Sequence, residues 1–318
     1  MSLEATAADT GPGTSSPPTS DSDRGRPWSR GAARPFFWSV RREIWEHRSV
    51  WIAPLVVAAL VLLGLTVSAG LFPQGVDQLA GLDPARRATA MAQGLAAAGL
   101  PIDITGTIVA IFYALGALHN ERRDRSILFW KSLPVSDLIA VLAKAAIPLV
   151  VIPLVVCAVI VATRLIILPV AAVALMANGK GLAPLLANFP WAQLTLVPLY
   201  GVTVSALWYA PVYGWLLLVS SWAKRAPLLW AVLPPVALGL FEGIAFHSGR
   251  LFALIGWRLS GSDTLAYAPS WGGDKAISRL DQLDPLAFAA SPDLWLGLFA
   301  SVAFIAGAVW LRRRREPV

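Results

Sequence analysis

The amino-acid sequence predicts an all-α integral membrane protein with about six membrane-spanning helices, preceded by an amphipathic helix at the membrane surface. Three observations predict this class. Of 318 residues 56% are hydrophobic and only 14% are charged, where soluble domains carry roughly a quarter charged residues. The charges come in bursts separated by long apolar runs. Several of those runs reach the ~20 residues needed to cross a hydrocarbon layer of ~30 Å.

Residues 1–34 are rich in Ser, Thr, Pro, Gly and Asp and lack the apolar core of a secretory signal. They read as a disordered cytoplasmic tail. Residues 35–48 place Phe37, Val40, Ile44 and Trp45 near one helical face, with Arg41, Arg42, Glu43 and Glu46 largely elsewhere. Such a helix is suited to lie along the membrane surface.

The remainder, 49–318, is the transmembrane domain. No charge occurs in the 28 positions from Ser49 to Val76, so the first span is placed at 51–72. After a loop carrying Asp83, Arg86 and Arg87, an Ala-rich stretch is expected to form a short interfacial helix, and the second span covers 100–118. The third, 142–166, contains Pro148 and Pro153, which a membrane helix tolerates when neighbours satisfy the freed carbonyl groups. Its continuation from Leu165 to Ala177 is expected to bend into the outer interface, because one helix through both would outrun the bilayer.

Between Lys180 and Lys224 lie 43 uncharged residues, barely enough for two spans with a turn. One span is therefore placed at 191–220. The fifth covers 226–246 with the Pro234-Pro235 pair, and the sixth, 294–311, follows a polar loop and ends at four arginines, Arg312 to Arg315. Six spans put both termini on one side. With the amino terminus inside, 18 of the 26 Lys and Arg residues fall in cytoplasmic segments, so both termini are expected in the cytoplasm.

The net charge of +7 raises the question of nucleic acid. The basic residues, however, flank apolar segments, where they anchor loops and meet anionic lipid, so no nucleic-acid partner is expected. Cys157 is the only cysteine, which leaves no intrachain disulfide or thiolate cluster. His47, His119 and His247 are scattered and form no HExxH pair, so no metal site is expected. No Walker A motif is present, since Gly179-Lys180 is followed by Gly181. The stretch Leu259-Ser260-Gly261-Ser262 imitates an ATPase signature, but no phosphate loop precedes it. No catalytic residues and no cofactor are expected in this chain.

The segment His119 to Lys144 is the most informative. Glu121, Arg122, Arg123, Asp124 and Arg125 form a dense mixed-charge cluster, Ile127 to Trp130 an apolar patch, and Leu133-Pro134-Val135-Ser136-Asp137 a turn in which Ser136 or Asp137 can cap the next helix. This is a short helix parallel to the membrane with its charges toward the cytoplasm. The run Glu121 to Ser126, the patch, Leu133 to Ser136 and Lys144 resemble the connection between the second and third spans of type 2 ABC transporter permeases. The layout of surface helix, six spans, internal termini and a large loop before the last span resembles that family too. One departure is Arg125-Ser126, where the family has a small Gly-Thr pair.

The resemblance implies a cytoplasmic coupling helix that docks on a separate ABC ATPase, which would bind ATP and Mg. Its contacts would be Glu121, Arg122, Arg123, Asp124 and Arg125, with Lys224 and Arg225 in the next cytoplasmic loop. It also implies a homodimer, or pairing with a second permease, in a bacterial plasma membrane. The rival readings are a non-transporting scaffold or sensor subunit, which would need no coupling helix, and a lipid-modifying enzyme, which would need polar catalytic residues clustered at one membrane face. For a substrate pathway the candidates are Asp103, Thr107, Tyr113 and Glu242, because carboxyl groups inside a bilayer are costly to keep. Glu242 is expected to face a polar gap or a subunit interface.

Overall fold

The computed structural model describes residues 33–71, 81–124, 136–177, 179, 191, 194–261, 265–267, 277 and 280–314. They are nearly all helical. The helices are α1 (Ala33–Glu46), α2 (Ser49–Leu71), α3 (Pro84–Gly116), α4 (His119–Arg123), α5 (Asp137–Ala146), α6 (Ile152–Ala177), α7 (Leu196–Trp208), α8 (Ala210–Trp222), α9 (Pro227–Phe246), α10 (Arg250–Ser260), α11 (Pro285–Ala290) and α12 (Pro292–Arg314). Among the described residues five stretches are long and apolar enough to cross a membrane, and α7 with α8 makes a sixth if that bent pair is one span.

The first span forms as expected: α2 carries no charge, tolerates Pro54, and shows no amphipathic stripe, as a helix surrounded by apolar material should. The second departs from expectation. Rather than an interfacial helix and a separate span, α3 runs unbroken for 33 residues through Pro101. Asp83 starts it, accepting a bond from the Arg86 amide at 2.8 Å, with Pro84 in the first turn, where its missing N–H costs nothing.

The third span is also longer than expected. Ser136 caps α5 by accepting from the Ile139 amide at 3.3 Å, and a π-helical turn, Ile147–Val151, joins α5 to α6. The whole stretch Asp137–Ala177 is 41 residues. Pro148 sits in the π turn and Pro153 just after it, so the extra residue per turn absorbs what the prolines withdraw from the hydrogen-bond ladder. The expected bend of 165–177 is not seen, and α6 continues through Pro169 to Ala177.

The fourth apolar run is a broken rod. α7 and α8 meet at Tyr209 with a bend of 49°, and Pro211 in the first turn of α8 explains the break, since it offers no amide to the preceding turn. The stretch 247–292, expected as a loop, contains α10 and α11. Turns with positive φ at Ala226 (47°) and His247 (51°) bracket α9, a backbone region that non-glycine residues seldom adopt.

The core lies where α2, α3, the π turn, α6 and α8 meet, around Ala58, Ile102, Ala114, Ile147, Ile152, Val156 and Leu217. α8 packs most extensively on α12. Gly214 makes this possible, because a Cβ there would lie 3.2 Å from the Ser301 carbonyl oxygen and hydroxyl, and the Ser301 hydroxyl donates to the Ala210 carbonyl at 3.0 Å. By contrast α9 buries only Ala231 and Gly239, leaving a broad apolar surface of the kind a lipid-facing helix presents.

Candidate functional site

At the end of the bundle where α12 terminates, charged residues from distant parts of the chain converge beneath the surface. Glu43 on α1 is 1% exposed and Lys144 on α5 is 3% exposed; their side chains meet at 2.8 Å. The same ammonium lies 3.1 Å from Glu121 on α4. Arg312, near the end of α12, donates through Nη1 to Glu121 at 2.6 Å and through Nε to Asp137 at 3.1 Å. Arg42 donates to Glu43 at 2.9 Å and lies 3.7 Å from Glu121. The Tyr113 hydroxyl, from the last turns of α3, donates to the other Glu43 oxygen at 2.8 Å.

Three carboxylates thus face three cations in an alternating lattice that ties α1, α3, α4, α5 and α12 together. Burying one charge would cost several kcal/mol; neighbours of opposite sign with satisfied hydrogen bonds are what make it tolerable. Burial pushes the Glu43 carboxyl up, but Lys144, together with the bonds from Lys144, Tyr113 and Arg42, outweighs it and holds the group at about 2 against an ordinary 4.5. Glu43 is ionised at neutral pH.

A second knot sits beside this lattice. α8 ends at Trp222, and its last carbonyl groups need donors. Arg122, 4% exposed, donates to the Ser220 carbonyl at 2.9 Å and to the Ala223 carbonyl at 2.7 Å. The His119 ring bonds the same Ala223 oxygen at 3.0 Å. The Ser220 hydroxyl accepts from the amides of Leu118 and His119, both at 3.0 Å. A guanidinium at a helix C-terminus also meets the negative end of the helix dipole. α4 is therefore clipped to α8 on one side and, through Glu121, to α5 and α12 on the other.

This arrangement corrects the expectation of a wholly solvated cluster on α4. Glu121 and Arg122 turn inward, because only a buried face can supply the ion pairs and carbonyl groups they engage. Arg123 and Asp124 are exposed and pair with each other at 3.2 Å, and Lys224 and Arg225 are exposed in the turn after Ala223. Arg313 and Arg314 at the end of α12 are exposed as well. Arg125 and the apolar patch 127–130 lie outside the described residues.

The four pathway candidates are not brought together. Asp103 and Thr107 line one cleft with Gly106, Ser205 and Tyr213. Tyr113 lies elsewhere, bonded to Glu43. Glu242 does not face a polar gap: its carboxylate accepts from the Ser248 hydroxyl and from the amides of Arg250 at 3.1 Å and Leu251 at 2.8 Å. It closes the first turn of α10, the role a carboxylate commonly fills at a helix start.

Sequence reasoning did not single out Glu43, Asp137, Lys144 and Arg312 as one site, nor Arg164, which lies within α6 at 5% exposure and donates to the Leu95 carbonyl at 3.2 Å. The available signal was a charge placed on an apolar face. Glu43 falls between Val40 and Ile44 at helical spacing, and Lys144 stands three residues after Val141 in an otherwise apolar run. Among the described residues no group of His, Cys, Asp and Glu is arranged to hold a metal ion. Compared with known proteins, the chain matches no family model, no curated protein and no solved structure.

Proposed function

We propose that this chain is the membrane-spanning subunit of an ATP-driven exporter whose ATPase is a separate polypeptide, working as a homodimer or beside a second permease in a bacterial plasma membrane. The observation that carries the reading is the buried lattice with its neighbouring knot. Together they join the short helix α4 rigidly to α1, α3, α5, α8 and α12, while Arg123, Asp124, Lys224 and Arg225 face outward from the same end. A subunit lacking nucleotide chemistry of its own needs a mechanical input. A charged helix fixed to several spans can receive a push from a partner and pass it on as a rigid body, and the bent α7–α8 pair and the π turn before α6 offer places for the spans to change angle.

In this reading the end bearing the lattice is cytoplasmic, ATP and Mg belong to the partner, and exposed charges select that partner more than they hold the fold. The test is affinity purification of the tagged full chain from its native host. An ABC ATPase should co-purify with the wild type and be lost from a variant carrying Arg123→Glu, Lys224→Glu and Arg225→Glu that still inserts at wild-type level. Absence of any ATPase from the wild-type preparation would overturn the proposal.

A further inference from the structure

α1 divides its residues between two sides. Glu43 turns into the ion lattice, and Val40 and Ile44 beside it pack against the core. At about 100° per residue, Phe37, Trp38, Arg41 and Trp45 share a different arc of the same helix, itself about 100° wide. Phe37 is 62% exposed, Trp38 59% and Trp45 69%. Arg41 is exposed among them, its guanidinium 5.2 Å from the centre of the Trp38 ring. The apolar face expected from Phe37, Val40, Ile44 and Trp45 is thus split by packing, and the rings left outside are joined by Trp38 and Arg41.

The chain fixes this arc at the edge of the hydrocarbon layer. α2 starts at Ser49 and carries no charge; at ~1.5 Å rise its length is about 34 Å, against a layer of ~30 Å. Arg48, exposed in the turn just before α2, therefore stands at headgroup level. α1 is held there, because Glu43 meets Lys144 on α5 at 2.8 Å and the same ammonium meets Glu121, the partner of Arg312 near the end of α12. The acidic residues of α1 are already engaged: Glu43 pairs with Lys144 and Arg42, and Glu46 lies 3.7 Å from Arg42. Among the described residues Arg41 and Arg48 face no carboxylate.

We propose that the outward arc of α1, together with Arg48, is a docking surface for acidic phospholipid, with Arg41 and Arg48 taking the phosphates and Phe37, Trp38 and Trp45 settling beside the upper acyl chains. Three large rings side by side are costly to leave in water, whereas two arginines are costly to sink into hydrocarbon. The headgroup layer satisfies both. Tryptophan favours that level, where its ring is half wet, and a guanidinium matches phosphate oxygens with paired donors. Charge complementarity selects the acidic lipid: the arc presents cations and no carboxylate, and anionic headgroups attract each basic residue at the surface. The proposal does not rest on the exporter reading.

The test uses the full chain in nanodiscs that mix phosphatidylcholine with phosphatidylglycerol, in which one lipid or the other carries bromine on its upper acyl chain and quenches nearby tryptophan. Subtracting the emission of the variant Trp38→Phe with Trp45→Phe isolates these two rings from the rest of the 14 tryptophans. At equal mole fraction, brominated phosphatidylglycerol should quench them at least about twofold more than brominated phosphatidylcholine. Arg41→Gln with Arg48→Gln should bring that ratio to about one, and should this variant fail to insert, each single change serves with an intermediate ratio. Arg313→Gln with Arg314→Gln, at the exposed end of α12, should leave the ratio unchanged. Equal quenching by the two lipids in the wild type would overturn the proposal. So would the absence of quenching by either, since a second copy or another protein would then cover the face, and so would loss of the ratio on changing Arg313 and Arg314, since the preference would then belong to the general field of this end.

Discussion

The buried ion lattice makes a quantitative prediction through Lys144→Met. Methionine keeps the length and apolar stem of lysine but removes the ammonium that stands 2.8 Å from Glu43 and 3.1 Å from Glu121. Two carboxylates are then left beneath the surface with Arg42 and Arg312 as their remaining cations. Removing one partner of a buried pair costs ~3–5 kcal/mol, since the other charge stays desolvated. A consistent figure comes from Glu43 itself. Its depression from 4.5 to about 2 corresponds to ~3 kcal/mol of native-state stabilisation, at ~1.4 kcal/mol for each tenfold change in proton affinity.

The sign follows from the direction. Glu43 binds its proton more weakly folded than unfolded, so its contribution is present above about pH 4.5 and is lost as pH falls from there toward 2. The assay is reversible unfolding in mixed micelles followed by tryptophan fluorescence, with 14 Trp in the chain. Lys144→Met should lose ~3–5 kcal/mol at pH 7. The double variant Glu43→Gln with Lys144→Met should lose clearly less than the two single losses added together, because each single change strands the same partner. Lys144→Met within ~1 kcal/mol of wild type, or simple additivity in the double variant, would refute the view that these charges hold the end of the bundle together.

The two arginines of α4 should separate in the same assay. Arg122→Ala, which strips donors from two buried carbonyl groups at the end of α8, should cost ~2–4 kcal/mol, whereas Arg123→Ala at the exposed pair should stay within ~0.5 kcal/mol. Gly214→Ala should destabilise by ~1–3 kcal/mol, because the Ser301 backbone lies 3.2–3.3 Å from the new Cβ and cannot retreat without parting α8 from α12; unchanged stability would show that the two helices yield there. Glu242→Gln should speed hydrogen exchange of the Arg250 and Leu251 amides while leaving α9 inserted, and unaltered exchange would refute its capping role. Reporter fusions at Lys131, Lys224 and Arg315 should score cytoplasmic and those at Arg86, Lys180 and Lys275 external; Lys180 or Lys275 scoring inside would defeat the six-span arrangement.

Much of the fold was legible because the bilayer constrains sequence in one dimension. α2 coincides with its expected span to within two residues at its start, since an uncharged run longer than the hydrocarbon layer has few alternatives. Ser136 was readable as a cap from the turn chemistry around it. The errors fell where apolar runs exceed one bilayer crossing. Composition does not say whether residues 84–116 break at Pro101 or continue, and the helix continues through it. Nor does it say that residues 196–222 bend at Tyr209 instead of running straight. α10 was hidden within a polar stretch because it is only 11 residues long and carries Arg250, Arg258 and Ser260 among its apolar residues, too short and too polar to read as a span.

The site followed the same division. Sequence alone determined that this is a membrane protein of several helices with its basic residues gathered at segment ends, because hydropathy and charge act locally and are written in order along the chain. It also marked residues 119–125 as an unusual concentration of charge. Only the tertiary structure decided which of those charges are outward and which are sealed. Glu43 and Lys144 lie 101 positions apart and Arg312 and Glu121 lie 191 apart. Whether such residues meet depends on how helices pack, and nothing in the local sequence reports the sign or distance of a charge on another helix. A buried charge is affordable only where its partners arrive from elsewhere in the fold, so the lattice, the Arg122 knot and the Asp103 cleft become visible only when the helices stand side by side.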